Sequence, residues 1–274
     1  MLLFYIFLFI STACSVTLGI QFGSSPLNAG LLTVGLYFGI LLALLLLFAV
    51  VLFVSIMLVD LKKEQKHRSP WLTFLVDQFL AIVIRMLRVR IHTEGLEMVP
   101  RDRNFLLVSN HIFALDPVMF MSVMPWAKLG FIAKKEAYDM FLVNRAMHAL
   151  HCLPVDREND RAALKTIIRT AQILKTGEHS MAVFPEGYEN KEGKLLPFRN
   201  GVFKIAQRAE VPIVVAVIRG DRKLMDNMFR RRTDVSIEFL GVVPVEELKG
   251  VMTQEVGDRI HAMMEEALAR EAAV

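Results

Sequence analysis

Between Met1 and Val59 the chain has no Asp, Glu, Lys, Arg or His. A stretch of that kind cannot present an ordinary aqueous surface, so every formal charge belongs to the residues that follow. Cysteine is almost as scarce. Cys14 and Cys152 are the two present, too few for a disulfide framework or a zinc site, and both read as small buried hydrophobes. There is no Gly-rich nucleotide fingerprint, internal repeat or low-complexity linker, which argues against dinucleotide-binding and repeat architectures. The net charge of +4 and pI of about 9.1 come without zinc-finger spacing or an aromatic RNA-binding signature. An anionic membrane or phosphorylated substrate therefore fits the charge better than nucleic acid does.

The apolar stretch contains two runs, residues 2–20 and 31–59, separated by Gln21-Phe22-Gly23-Ser24-Ser25-Pro26, a turn signal. About 20 helical residues cross a bilayer core, so both runs are long enough. For the first, a cleaved signal peptide is the competing reading, weakened by the lack of a positive n-region. Lys62, Lys63, Lys66 and Arg68 follow the second run and place its end in the cytoplasm by the positive-inside rule. The sequence predicts a two-span helical anchor over residues 1–60, both chain ends cytoplasmic, and a multi-pass location in the cell membrane. Residues 61–94 are expected to be a basic juxtamembrane segment with an amphipathic helix over residues 71–90. That helix reads equally as interfacial or as packing on the soluble domain.

Residues 95–274 read as one domain. Short β-type runs at residues 105–109, 181–184, 211–218 and 235–239 alternate with helical periodicity at residues 161–175, which Gly177 ends, and a Met-rich amphipathic helix spans residues 253–272. The fold class is α/β, a layered domain with a mostly buried sheet.

Asn110-His111-Ile112-Phe113-Ala114-Leu115-Asp116 follows the first of these strands, and strand ends are where α/β sheets bind ligands. An imidazole there can take a proton from an alcohol, and a carboxylate on its other nitrogen fixes the tautomer. No Ser or Cys sits in a nucleophile-elbow sequence, and Ser109 reads as a strand-end hydroxyl. The base therefore activates a substrate hydroxyl directly. His148, His151 and His179 lack supporting carboxylates, so no metal site is expected and they read as surface or packing residues.

With Leu153-Pro154-Val155-Asp156-Arg157, Phe184-Pro185-Glu186-Gly187 and Val211-Pro212-Ile213-Val214 downstream in order, residues 95–248 resemble the glycerolipid acyltransferase family, which includes the lysophosphatidic acid acyltransferases. The resemblance implies a membrane-bound O-acyltransferase with His111 and Asp116 catalytic, transferring a fatty acyl group from acyl-CoA or acyl carrier protein to the sn-2 hydroxyl of 1-acyl-sn-glycerol 3-phosphate. It implies no cofactor beyond that co-substrate, and a lysophospholipid and membrane lipid as partners. It assigns Asn110, Arg157, Glu186 and Gly187 to substrate binding, with Val211–Val214 lining the acyl path or serving as an ordinary buried strand.

The third block departs from the family pattern, which continues Thr-Arg-Ser where this chain has Tyr188-Glu189-Asn190. A carboxylate beside a phosphate is repulsive. Lys191, Lys194 or Arg199 supplies the missing charge, or the acceptor is less anionic. Glycerol 3-phosphate or another lysophospholipid as acceptor, and a non-catalytic lipid-binding homologue, are the alternatives.

Overall fold

The computed structural model describes residues 1–63, 67–190, 194–220, 224–227 and 230–271. The uncharged stretch forms two helices, α1 (Leu2–Phe22) and α2 (Pro26–Met57), packed side by side as a hairpin. Small residues on α1, Ser11, Ser15 and Gly19, are buried at their contact. A Cβ on Gly19 would collide with Thr33, so the close approach depends on glycine there. α2 starts before residue 31 because the Ser25 hydroxyl accepts the Asn28 N–H at 3.3 Å and Pro26 fills the first turn. Both helices are long and apolar enough to cross a membrane. Cys14 is exposed on the outer face of α1, contrary to its reading as buried, whereas Cys152 is buried in the domain. A helix contacting one neighbour buries one stripe, and Cys14 is off that stripe.

α3 (Pro70–Met86) stops short of the residue 90 expected from periodicity. Arg88 has φ 55°, which ends the helix, and the chain then enters β1 (Val89–Glu94). The segment assigned to the juxtamembrane region thus supplies an edge strand of the sheet. α3 combines both readings of its role. Leu72, Leu75 and Val76 are buried, while Trp71, Phe74, Phe79 and Met86 are exposed. It lies across the hairpin, with the Trp71 indole donating to Ser55 of α2 at 3.2 Å and Gln78 accepting the Leu3 N–H of α1 at 3.2 Å. Of the four cations used for orientation, Arg68 is buried and donates to the Lys128 and Leu129 carbonyls; Lys66 lies outside the described residues.

The remaining elements are β2 (Leu106–Ser109), α4 (Asp116–Val123), β3 (Gly130–Lys134), α5 (Phe141–Ala149), β4 (Leu153–Val155), α6 (Asp160–Lys175) and β5 (Met181–Val183). Then come α7 (Lys204–Ala209), β6 (Ile213–Arg219), α8 (Leu224–Asn227), β7 (Thr233–Val243) and α9 (Thr253–Glu271). Among the described residues they form a seven-stranded sheet in the order β1-β7-β6-β2-β5-β3-β4. All neighbours are parallel except β6 and β7.

Alternation along the strands divides the core in two. Leu107, Ala182, Val214, Ala216 and Ile218 pack with the end of α2 and with α3 and α4. Leu106, Val108, Met181, Val183, Ile213, Val215 and Val217 pack under α6, α7 and α9. Burial on both faces explains why these strands read as continuous apolar runs. Residues 213–218 are fully inaccessible, which favours the ordinary buried strand over an exposed acyl path. β3 and β4 have no counterpart in the sequence expectations, because they are only partly buried and are interrupted by Gly130, Lys134 and Pro154, whereas β2 and β5 are buried throughout and read as continuous apolar runs.

At the N-terminal ends of β4 and β5, His151 Nδ1 and His179 Nε2 lie 3.0 Å apart in the interior. Burial, with Arg68 nearby, lowers His151 to about 4. Burial, with His151 and Arg68, lowers His179 to about 3. Both values are below the unfolded value of about 6.5, so between about pH 6.5 and 4 the unfolded chain binds more protons and stability falls as pH falls. Urea denaturation at pH 7 and pH 4.5 is expected to show a loss of about 2 kcal/mol for each histidine. The His151→Asn/His179→Asn variant, whatever its stability at pH 7, should lose less over the same interval.

Candidate active site

The C-terminal ends of β2, β4 and β5, and the loops that follow them, deliver the residues singled out from the sequence. After β2 the chain turns, with the Asp116 N–H donating to the Phe113 carbonyl at 2.9 Å. This turn is what allows partners five apart to meet. His111 Nδ1 lies 2.9 Å from Asp116 Oδ2. The same oxygen accepts the N–H groups of Ile112 at 2.8 Å and Phe113 at 3.0 Å. Asp116 is fully buried at the start of α4, where the helix N-terminus also favours a carboxylate. An acceptor on Nδ1 holds the proton there and gives Nε2 the basic lone pair. The imidazole, 15% exposed, stacks on Phe184 with centroids 4.2 Å apart and planes 10° off parallel. Phe184, in the Phe-Pro-Glu-Gly block, is the floor under the His111 ring, a role the motif itself does not announce.

Two residues expected to bind substrate are engaged elsewhere. The Asn110 carboxamide is buried, donating to the Ile218 carbonyl at 3.0 Å and accepting the Ile218 N–H at 2.8 Å. It ties the end of β2 to β6. Glu186 is 3% exposed and accepts the backbone N–H of His111 at 3.0 Å and of Leu196 at 2.9 Å. Its carboxylate therefore positions the backbone of His111 and the following loop. The loop is held a second time, by the Asn190 N–H donating to the His111 carbonyl at 2.7 Å. Sequence placed these residues at the site; only the fold shows that their polar atoms serve backbone.

Gly187 sits at φ 78° in the same loop, a conformation glycine adopts without strain. A Cβ there would lie 3.1 Å from Arg199 Nε and 3.9 Å from Arg157 Nε. Arg157, just past β4, and Arg199 thus converge on the glycine. Tyr188 lies between them, with the guanidinium carbons 4.9 Å and 5.7 Å from its ring centroid, and Arg199 Nη2 approaches its hydroxyl at 3.5 Å. Burial, reinforced by Arg199, makes the charge of Arg157 less favourable and is partly offset by Tyr188. Two guanidiniums so close form a strongly electropositive place suited to a phosphate. Glu189 is exposed. Lys194 is exposed and its carbonyl accepts from Asn190; Lys191 lies outside the described residues. Of the two described cations considered for the missing charge, Arg199 and Lys194, it is the Arg199 side chain that packs against Gly187. Among the described residues no cluster of metal-ligating side chains occurs.

Residues 90–219 match the model of the Acyltransferase family. The 1-acyl-sn-glycerol-3-phosphate acyltransferase alpha of Bos taurus is 31% identical over 179 residues, 64% of this chain and 62% of that protein. The 1-acyl-sn-glycerol-3-phosphate acyltransferase of Limnanthes douglasii is 28% identical over 139 residues, 51% of this chain and 48% of that one. The chain therefore spans less than two thirds of these relatives' length. The crystal structure of the 1-acyl-sn-glycerophosphate acyltransferase from Thermotoga maritima superimposes with a TM-score of 0.64 at 23% identity, covering 83% of this chain and 90% of that one. That likeness establishes the mixed α/β fold, including the two N-terminal helices only as far as the coverage extends.

Proposed function

Because residues 90–219 carry an acyltransferase-family domain, we propose that the protein is a membrane-bound O-acyltransferase acting on the sn-2 hydroxyl of 1-acyl-sn-glycerol 3-phosphate, with phosphatidic acid as the product. The supporting observation is that the His111–Asp116 pair and the Arg157–Arg199 pair share one frame. The loop of residues 184–190 bonds to His111 through Glu186 and Asn190 and carries Gly187 and Tyr188 against both arginines. A base and an anion site joined through one loop suit an acceptor that bears a hydroxyl and a phosphate monoester.

In the reaction, Nε2 of His111 removes the acceptor hydroxyl proton while Asp116 stabilises the imidazolium through Nδ1. The acceptor oxygen attacks the thioester carbonyl of acyl-CoA or acyl carrier protein and forms a tetrahedral oxyanion. Collapse breaks the carbon–sulfur bond, and the departing thiolate takes the proton from His111. Base, product and free thiol balance without a covalent enzyme intermediate. The hairpin of α1 and α2 anchors the enzyme in the cell membrane, with both chain ends cytoplasmic, where thioester donors are found.

The test is thioester-dependent transfer to lysophosphatidate by purified full-length protein in vesicles, with acyl-CoA and acyl carrier protein supplied in turn. Arg157→Ala and Arg199→Ala are each expected to raise KM for lysophosphatidate about tenfold or more, since a charge-assisted bond contributes about 1.5–3 kcal/mol. Neither change should alter KM for the donor as much. Transfer to an uncharged monoacylglycerol that exceeded transfer to lysophosphatidate would refute the phosphate assignment.

A further inference from the structure

Met140, Phe141, Leu142 and Val143 are 59%, 63%, 42% and 36% exposed, although they belong to the α/β domain and not to the hairpin. Such a run in water is unfavourable and marks a surface that something covers. Their position is set by α5, which connects the parallel strands β3 and β4. The helix therefore runs from the C-terminal edge of the sheet, where His111 lies, back to the N-terminal edge.

Contacts with α2 fix the depth of this helix. His148 Nε2 meets the Lys63 carbonyl at 2.9 Å, beyond the end of α2. Arg145 donates to the carbonyls of Val59 and, at 3.4 Å, Met57. Moving back along α5 thus moves back along α2. Residues 140–143 lie up to one more turn in that direction, about 5 Å by helical rise, toward the part of α2 that exposes Phe53 and Val54. Trp71, 57% exposed and bonded to Ser55, marks the same level on α3. Exposed Lys62 and Lys63 follow α2, and exposed Lys134 and Lys135 precede the tip, together with exposed Glu136 and Asp139 and with Lys135 3.5 Å from the Asp156 carboxylate. An apolar tip at the level of an exposed Trp, flanked by charged residues, is the composition of an interfacial anchor.

We propose that residues 140–143 insert into the headgroup–acyl boundary of the leaflet that α2 leaves, as a second, non-spanning membrane contact beside the hairpin. This contact holds the edge of the sheet bearing His111 against the lipid surface that contains the acceptor. The inference rests on the membrane reading of α1 and α2, and its test separates the two.

Single cysteines replace Leu142, Leu46 or Glu266 in a Cys14→Ala background, with Cys152 retained because it is buried. Each is labelled with an environment-sensitive fluorophore on the full chain in phosphatidylcholine–phosphatidylglycerol vesicles. Position 142 is expected to show blue-shifted emission quenched by lipids spin-labelled near the headgroup. Position 46 should be quenched by deep spin labels, and position 266, exposed on α9, by neither. Quenching at 46 without quenching at 142 overturns the inference and leaves the anchor standing; no quenching at either overturns both. A blue shift at 142 without lipid quenching assigns the patch to a protein neighbour and also overturns it. As an independent readout, Phe141→Ser/Leu142→Ser should raise KM for lysophosphatidate in vesicles about tenfold through lost apolar burial, with turnover of a short-chain soluble acceptor unchanged. Equal loss on both acceptors contradicts the proposal.

Discussion

His111→Ala is expected to lower kcat for acyl transfer about 10³-fold, the usual contribution of a positioned general base, while the protein remains folded. The effect should fall on kcat because proton removal belongs to the transition state and not to acceptor binding. Circular dichroism and a thermal melt distinguish lost chemistry from lost structure, since the stacking on Phe184 disappears with the imidazole. Asp116→Asn should come close to the same loss by another route. The buried oxygen accepts Nδ1–H together with two backbone N–H groups, and a carboxamide can no longer stabilise the imidazolium by charge. An His111→Ala enzyme that kept more than about a tenth of wild-type kcat would mean that another group removes the proton.

Glu186→Ala is expected to lower folding stability by about 3 kcal/mol, because it leaves the part-buried N–H groups of His111 and Leu196 without this acceptor, in the lower half of the range of about 1–3 kcal/mol each. Transfer should fall with it, mainly in kcat, since the lost bonds hold the base and the loop around it. Glu186→Gln, which keeps one carbonyl oxygen, should recover part of both. Urea denaturation and steady-state kinetics on the same preparations test the assignment. A variant of normal stability whose KM for acceptor alone had risen would return Glu186 to direct substrate contact.

The ordered blocks placed nearly every residue of this site, and the reason is local. Asn110, His111 and Asp116 are within one turn of chain after a strand, and Phe184 to Gly187 follow another, so sequence spacing and strand periodicity were enough to bring them to the same edge. The structure changed what several of them do. The family resemblance assigned Asn110 and Glu186 to substrate binding. Here both are buried beneath the surface and satisfy the backbone of neighbouring segments. That distinction depends on which long-range amides need an acceptor, which no spacing records. Arg199 was one of three cations considered for the charge displaced by Glu189, and only the approach of its side chain to Gly187 and Tyr188 separated it from Lys194.

By itself the sequence determined the apolar hairpin, the α/β alternation, the His111–Asp116 spacing and the blocks that resemble glycerolipid acyltransferases, because each is written in a short-range period or a fixed spacing. Tertiary structure alone decided that β1 joins the sheet next to β7, that α3 lies across both hairpin helices, that His151 and His179 are buried together, and that α5 reaches the end of α2 through Arg145 and His148. Those are contacts between segments distant in the chain. They arise from the burial of whole faces against one another, and a linear pattern does not specify which face meets which.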